Sequence, residues 1–247
     1  MSVAVVLGMH KSGTTLIADT LHQSGIAMIE DEAVGGYDDG NKMERAATCA
    51  LNMNLLGDNG IESLRLIRPL SPDAPDNGQK NRAQELIAAL GSGSWGFKDP
   101  RTLLTFDFWD EVLEAPALIG VYRDPVEVFR HYLRRAGRRW ISRDPTYLPD
   151  ALRAWCIYNQ HLLEIKRRHP DMLLLDYADF MTTESGMQAL SAHLGRDLVD
   201  CRKPAMRRGQ AIPNKDYRLA RVIVRLRDRL DPLAIHAQLK KAASNDI

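Results

Sequence analysis

The sequence predicts a three-layer α/β/α fold around a central parallel sheet. Val3–Leu7 is a short run of aliphatic residues that ends at Gly8, which is typical of a buried strand leading into a loop. Helical patterns alternate with further short apolar runs, and such alternation favours a parallel sheet covered by helices on both faces. The chain has 247 residues, of which 45% are hydrophobic and 26% charged, so we expect one domain over residues 1–247.

The individual elements follow from local signals in the sequence. The predicted strands are short apolar runs bounded by Gly, Pro or Asp: Val3–Leu7, Trp95–Lys98, Ala117–Tyr122 and Met172–Leu175. The predicted helices have apolar residues at helical spacing: Thr14–Ser24, Thr105–Leu113, Pro125–Arg139 and Leu148–His169. Leu66–Gly78 is rich in Pro, Asp, Ser and Asn and predicts an exposed loop.

The C-terminal region predicts one amphipathic helix from about residue 216 to residue 242. Its apolar residues recur at helical spacing: Leu219, Val222, Ile223, Leu226 and Leu230. We expect this stripe to pack on the body of the domain, with a partner surface as the alternative.

The net charge of +1 conceals an asymmetry along the chain. Residues 1–120 carry 9 Lys and Arg against 17 Asp and Glu, whereas residues 121–247 carry 24 against 15. The basic excess lies mainly in residues 130–168 and 202–229. It either attracts anionic ligands or forms ordinary solvated helix faces.

Cysteine usage and hydropathy indicate where the protein resides. Cys49, Cys156 and Cys201 are odd in number and far apart, so they predict neither a zinc site nor a disulfide framework, and a reducing compartment is expected. The apolar run at the N-terminus is too short for a signal peptide, and no run approaches the roughly 20 residues of a membrane span. We therefore expect a cytoplasmic protein with no membrane span.

The segment Gly8–Thr15 has the composition of a phosphate-binding loop. A loop between a buried strand and a helix presents backbone N–H groups and the positive end of the helix dipole to an anion. Gly8 and Gly13 allow a tight backbone path, while Lys11 adds a positive charge. A ligand-free glycine turn is the structural alternative.

A nucleoside-triphosphate loop is the competing interpretation of this segment. Gly8 and Gly13 have the glycine spacing of G-x-x-x-x-G-K-[ST], but Thr14 stands where the pattern requires lysine. The usual contact to the β- and γ-phosphates is then missing, which counts against a nucleotide kinase or NTPase. A non-catalytic nucleotide or sulfate sensor also remains open.

Four motifs together resemble one enzyme family. His10-Lys11-Ser12-Gly13-Thr14-Thr15-Leu16 resembles the 5′-phosphosulfate loop of sulfotransferases that use 3′-phosphoadenylyl sulfate (PAPS). Trp95–Arg101 resembles the Lys-Asp-Pro-Arg strand end of bacterial members. Ile119–Val128 resembles the segment that binds the donor's 3′-phosphate, and Leu174–Tyr177 resembles the later strand that ends in tyrosine.

The resemblance implies a P-loop-like fold and a donor site with two phosphate-binding parts. It assigns to the donor's 5′ end the loop residues His10, Lys11, Ser12, Gly13, Thr14 and Thr15. Arg123, beside the start of the following helix, would bind the 3′-phosphate; a local ion pair is the alternative role. The family usually has a serine eight residues after this arginine, where this chain has His131, which could still donate to phosphate.

The resemblance also implies transfer of a sulfuryl group from PAPS to an acceptor hydroxyl, leaving 3′,5′-ADP (PAP). Lys11 would stabilise the leaving phosphate, and no metal is expected because a monoanionic sulfuryl group needs less neutralisation. The histidine that some members use as base is absent here. Glu44 is the preferred base, with Glu32 and Glu30 as alternatives and a helix N-terminal acid as its structural role.

Other residues are assigned more loosely. Lys98 is expected to orient donor or acceptor, and Asp99 and Arg101 to form a structural pair. A basic segment could close over the donor: Arg202, Lys203, Arg207 and Arg208. The acceptor would be a carbohydrate, lipid or small metabolite; no nucleic-acid partner is expected, and a homo-oligomer is left open.

Overall fold

The computed structural model describes residues 3–29, 43–57, 74–91, 93–137, 140–203, 211–244 and 246. Its centre is a parallel sheet of four strands in the order β2-β1-β3-β4. The strands are β1 (Val3–Leu7), β2 (Trp95–Lys98), β3 (Ala117–Tyr122) and β4 (Leu173–Asp176). The predicted strands are thus confirmed, the last with a shift of one residue.

Strand β1 occupies the middle of the sheet and sets the position of its neighbours. Val6 lies opposite Lys98 on one side, and Leu7 lies opposite Gly120 on the other. The chain therefore moves from β1 to opposite sides of that strand, and such a switch point is where open α/β sheets bind ligands, at the carboxyl ends of the strands.

Helices cover both faces of the sheet. They are α1 (Thr14–Gln23), α2 (Ala46–Leu55), α3 (Asn77–Leu90), α4 (Phe106–Val112), α5 (Pro125–Ala136), α6 (Trp140–Arg143), α7 (Tyr147–Arg168), α8 (Tyr177–Thr182), α9 (Glu184–Leu194), α10 (Lys215–Asp228) and α11 (Pro232–Ala243). None of the helices in these ranges is both long enough and apolar enough to span a membrane.

Alternation along the strands divides the interior into two apolar clusters. Val5 and Leu7 face the cluster formed with α2, α5, α7, α10 and α11, whereas Ala4 and Val6 face the cluster formed with α1, α8 and α9. Successive side chains of a strand point to opposite faces, so a strand buried on both sides is apolar throughout. This arrangement confirms the predicted three layers.

The C-terminal prediction is wrong in two respects. Two helices replace the single helix expected from about residue 216 to 242, because Arg229 is left-handed with φ 58° and Asp231 caps a new helix whose first residue is Pro232. The expected stripe also does not pack as a unit. The residues of α10 that are buried are Tyr217, Ala220 and Val224, whereas Leu219, Val222 and Leu226 are exposed.

The sequence interpretation also did not predict helix α3 before β2. The predicted loop Leu66–Gly78 overlaps the start of α3, where the Asp76 side chain accepts a hydrogen bond from the backbone N–H of Gln79 and the Gln79 side chain accepts one from that of Asp76. This reciprocal pair is a capping box built on Asp. Residues 66–73 of the predicted loop lie outside the described residues.

The pairing of β2 with β1 gives a test of the fold. A Cβ at Gly96 would lie 2.4 Å from the Ala4 carbonyl oxygen and 2.7 Å from Met28 Sδ. We expect Gly96→Ala to lower the free energy of unfolding by about 2 kcal/mol or more, because the strands must separate. Gly93→Ala is the matched control, since a Cβ there meets nothing within 4 Å; denaturant unfolding should show a change within about 0.5 kcal/mol. Equal effects of the two would contradict the register.

Candidate active site

The predicted phosphate loop leaves the carboxyl end of β1 and leads into α1. Ser12 donates its N–H to the Met9 carbonyl at 3.2 Å, and the Ser12 hydroxyl donates to the same oxygen. Lys11 has a φ of 67°, a backbone conformation that residues other than glycine rarely adopt. This turn and the left-handed Lys11 form a tight loop at the N-terminus of α1, where backbone N–H groups and the helix dipole favour an anion.

The side chain of a residue that follows β4 packs closely against Gly13 at the start of α1. The φ of Gly13 is 105°, and a Cβ there would lie 2.1 Å from Cδ2 of Tyr177, the residue that follows β4. The Arg123 guanidinium stacks 4.4 Å from the centre of the same Tyr177 ring. Tyr177 therefore connects the phosphate loop to the end of β3.

Arg123 extends from the end of β3 across to the phosphate loop. Its Nε donates to Glu127 Oε2 at 2.6 Å, its Nη1 donates to the Lys11 carbonyl at 3.3 Å, and its own carbonyl accepts from Trp155 Nε1 at 3.1 Å. The side chain thus has the local ion pair considered as its structural role, and it also directly contacts the loop.

His131 lies one turn beyond Glu127 on α5. Burial, together with the nearby cations Arg123, Arg134 and Lys11, lowers the pKa of its imidazole to about 4. Arg134 Nη2 lies 2.9 Å from His131 Nδ1. The imidazole is therefore neutral at pH 7 and stands in a positive field that favours an anion.

Lys98 and Glu44 form a buried ion pair beside the loop. Lys98 Nζ donates to Glu44 Oε1 at 2.7 Å, and their side chains are only 2% and 8% exposed. The same Nζ lies 3.5 Å from Thr15 Oγ1 of the phosphate loop. Burial raises the pKa of the Glu44 carboxyl, although Lys98 and Arg101 act in the opposite direction. The resulting carboxylate is a stronger base than one in water.

The expected pair of Asp99 and Arg101 is present and belongs to a larger network. Arg101 Nε donates to both Asp99 oxygens, at 2.8 and 2.9 Å, and Arg101 Nη2 lies 3.8 Å from Glu44 Oε2. Asn52 of α2 donates to Asp99 and to Thr102, both at 3.0 Å. Its amide oxygen accepts from Thr105 at 2.7 Å and from Trp109 at 2.8 Å.

His10 points into the protein beneath the loop. Its Nε2 is shielded from solvent, with no hydrogen-bond partner in the described part of the chain, and its ring meets Tyr158 edge-on at 6.1 Å. Burial lowers the pKa of the imidazole to about 3. The side chain therefore supports the loop from below as a neutral group, and what it offers to a ligand on the open side is its backbone.

The structure brings the predicted residues of β1, β2 and β3 to one edge of the sheet. The alternatives Glu30 and Glu32 lie outside the described residues, as do Arg207 and Arg208. Arg202 does not fit the expectation of a basic segment free to close over a ligand. It pairs with Asp200 and Glu184, both at 2.8 Å.

A family model described as "Sulfotransferase family" matches residues 4–200, most of the chain. The chain belongs to the sulfotransferase family. No curated protein matches this sulfotransferase in sequence.

Two solved structures are similar to the sulfotransferase in fold. The sulfotransferase domain from the curacin biosynthetic pathway is 13% identical with a TM-score of 0.52, and the alignment covers 99% of this chain and 96% of that one. The sulfotransferase domain from the Synechococcus PCC 7002 olefin synthase is 16% identical with a TM-score of 0.49, covering 99% and 94%. The first likeness, at the level of fold, confirms the predicted P-loop-like α/β architecture.

Two residues of the sulfotransferase that organise the site were not assigned a role from the sequence. Asn52 is an ordinary polar residue in a helical pattern, and its four partners come from later segments. Arg45 is fully buried and donates to the carbonyls of Ala27 and Gly96, at 2.6 and 3.3 Å, which fixes the residue next to Glu44. The sequence alone does not indicate that Arg45 is buried, because the carbonyl groups that pair with it belong to other segments of the chain.

One group of side chains in this site has the spacing of metal ligands. Glu44, Cys49 and Asp99 bring one ligand atom each within 4.8 Å of one another. Lys98 and Arg101 already pair with the two carboxylates, and burial raises the pKa of the Cys49 thiol well above its ordinary value. Both features disfavour a cation, because a thiol binds metal as the thiolate.

Asn52 provides a test of the network. We expect Asn52→Leu to lower the free energy of unfolding by about 2–4 kcal/mol, because it leaves the Trp109 N–H and the hydrogen-bond groups of Thr105 and Asp99 without their buried partner. Asn54→Leu is the control on the same helix, since the Asn54 side chain accepts a single, partly exposed hydrogen bond from Gln79. Similar decreases in the free energy of unfolding for both variants, measured with denaturant, would show that Asn52 contributes no more to stability than Asn54 does.

Proposed function

We propose that this chain is a single sulfotransferase domain that transfers a sulfuryl group from PAPS to an acceptor hydroxyl. The observation that carries the proposal is the contact between two anion-binding elements, the loop around Lys11 and the strand end at Arg123, whose atoms meet at 3.3 Å. A donor with a phosphosulfate at one end and a 3′-phosphate at the other requires two such elements side by side.

The donor's 5′ end would lie on the loop. Backbone N–H groups of the loop other than that of Ser12, which bonds to Met9, would hold the phosphosulfate together with the hydroxyls of Thr14 and Thr15 and the N-terminus of α1. Arg123 and His131 would hold the 3′-phosphate, with Arg123 exchanging part of its interaction with Glu127 for the anion. Tyr177 positions Arg123 by stacking, which reduces the ordering that binding must impose.

The reaction would be an in-line displacement at sulfur. The acceptor oxygen forms the new bond to sulfur while the bond from sulfur to the bridging phosphate oxygen breaks, and the product 3′,5′-ADP keeps that oxygen. Lys11 stabilises the charge that develops on the leaving phosphate. Glu44 accepts the hydroxyl proton, and its raised pKa suits this role. Lys98 holds Glu44 Oε1, and the proton would pass to Oε2, which lies 3.8 Å from Arg101 Nη2 and 3.8 Å from Cys49 Sγ.

The proposed acceptor is a hydroxyl of a small metabolite, carbohydrate or lipid. Its site would adjoin Glu44, because the base must lie within hydrogen-bond reach of the proton that it removes.

Donor recognition can be tested by ligand binding. We expect 3′,5′-ADP to bind at least about tenfold more tightly than AMP or ADP, since a phosphate on a charged donor contributes about 1.5–3 kcal/mol. Arg123→Met should remove that preference, whereas Arg130→Met, on the exposed side of α5, should keep it. Calorimetry measures the affinity of each protein for each nucleotide. Equal affinity for 3′,5′-ADP and AMP, or ATP turnover that depends on Mg²⁺, would contradict the proposed donor.

The catalytic roles can be tested by kinetics with labelled PAPS. Lys11→Ala should lower kcat by about 10²- to 10³-fold. Glu44→Gln should lower kcat while 3′,5′-ADP still stabilises the protein, and the exposed Glu114→Gln should act as wild type. Because only the carboxylate accepts a proton, kcat should rise with pH through a pKa above the ordinary 4.5 of Glu, and this limb should disappear in Glu44→Gln. Full activity of Lys11→Ala and of Glu44→Gln would refute the proposed mechanism.

A further inference from the structure

Helix α10 presents to solvent the apolar stripe that its sequence pattern suggested would be buried. Leu219, Val222 and Leu226 are 44%, 54% and 78% exposed, and they are spaced by three and four residues along one side of the helix. Ile212, just before α10, is 82% exposed. A contiguous aliphatic row of this kind on a folded domain is a mark of an interaction site.

A row of arginines runs beside the aliphatic row. Arg218, Arg225 and Arg229 are exposed, and none of them forms an ion pair within the described residues. The acid nearest the end of the helix, Asp228, is occupied by Arg153 and Arg227, at 3.2 and 2.9 Å. The outward face of α10 therefore combines aliphatic side chains with uncompensated positive charge.

The surface between α10 and the start of α11 is concave. A groove of about 310 Å³ has an apolar part of its lining made by Pro213, Tyr217, Val222 and Leu233. The rest of the lining is Arg218, Arg221 and Arg225, and Arg221 is paired with Asp231 at 3.1 Å. A groove of this size takes one or two apolar side chains and places carboxylates beside them within reach of guanidinium groups.

We propose that this face of α10, with its groove, docks an acidic amphipathic helix of a partner protein. Arg218 and Arg225 are two helical turns apart, about 10 Å, so acidic residues seven positions apart on the partner match them. The aliphatic row supplies the apolar contact of helix-in-groove recognition, and the arginines supply specificity and a fast encounter. A second copy of the same face is disfavoured, because its arginines would repel these.

A protein helix fits this surface better than a lipid bilayer does. Among the side chains whose exposure the structure describes, every large apolar one that is exposed is aliphatic. Surfaces that lie in a membrane interface typically use aromatic side chains as anchors and project them outward. Here Val222 and Leu233 line a depression, and a depression is filled by a side chain that projects from a partner.

The proposal is tested with a synthetic probe. A dye-labelled peptide of about 18 residues would carry Leu at positions i, i+3 and i+7 and Glu on both flanks, enough for about five helical turns. A matched peptide would carry Lys in place of Glu. Fluorescence anisotropy with the full chain should show binding of the acidic peptide only, weakening as salt is raised.

Variants distinguish this face from general charge attraction. Arg218→Glu with Arg225→Glu should weaken the acidic peptide at least about tenfold, as should Val222→Asp. The control pair Arg82→Glu with Arg143→Glu makes the same charge change at exposed positions elsewhere and should bind as wild type. All variants should keep the wild-type melting temperature and the wild-type affinity for 3′,5′-ADP, so the outcome is independent of the proposed activity.

Four results would overturn the proposal. Equal binding of the acidic and basic peptides, or an undiminished affinity in the α10 variants, would show that the face does not recognise an acidic helix. Sedimentation with phosphatidylglycerol vesicles, lost in the α10 pair and retained in the control pair, together with no peptide binding, would assign the face to a lipid surface. Dimerisation lost in the α10 pair alone would assign it to a second copy of the chain.

Discussion

The parallel pairing of β1 with β2 and β3 is the constraint on which the site depends. Parallel strands end at the same edge, so Gly8, Asp99 and Arg123, each directly after its strand, lie next to one another whatever separates them in sequence. Gly8 has no side chain, and this lets the strands approach closely. A Cβ at Gly8 would lie 2.5 Å from the Val121 carbonyl oxygen. A residue as small as glycine at this position lets the strands lie close enough for their ends to form one site.

The cost of burying charge explains the form of the site. An ion pair such as Glu44 and Lys98 loses hydration of both groups, and the attraction between them recovers this only with good geometry and further hydrogen bonds. Lys98 Nζ lies 3.5 Å from Thr15 Oγ1, and Arg101, which is bonded to Asp99, lies 3.8 Å from Glu44 Oε2. Desolvation outweighs the local cations, so the pKa of Glu44 is raised. A site arranged in this way keeps a carboxylate of raised proton affinity at the expense of stability.

Local signals were sufficient to predict the strands, the helices α1, α4, α5 and α7, and the positions of the two segments that we propose bind anions. The loop is marked by Gly8 and Gly13 with the hydroxyls of Ser12, Thr14 and Thr15, and the other segment by Arg-Asp-Pro after an apolar strand. Each signal spans only a few residues. Contacts between distant segments were not accessible in this way. The preference for Glu44 rested on a resemblance, and its 2.7 Å contact with Lys98 depends on how α2 docks against β2, which Arg45 and Asn52 determine through partners in other segments.

The misassigned face of α10 shows what periodicity leaves undetermined. A 3.6-residue period identifies a helix, but it identifies the buried face only when one side alone is apolar. In α10 a second face, with the small Ala220 and the aromatic Tyr217, packs against the core, because small side chains let helices approach closely. The larger aliphatic residues are left outside beside arginines. A fold that buries its weaker apolar face and exposes its stronger one retains a surface that water solvates poorly, and association with a complementary helix would remove that surface from water.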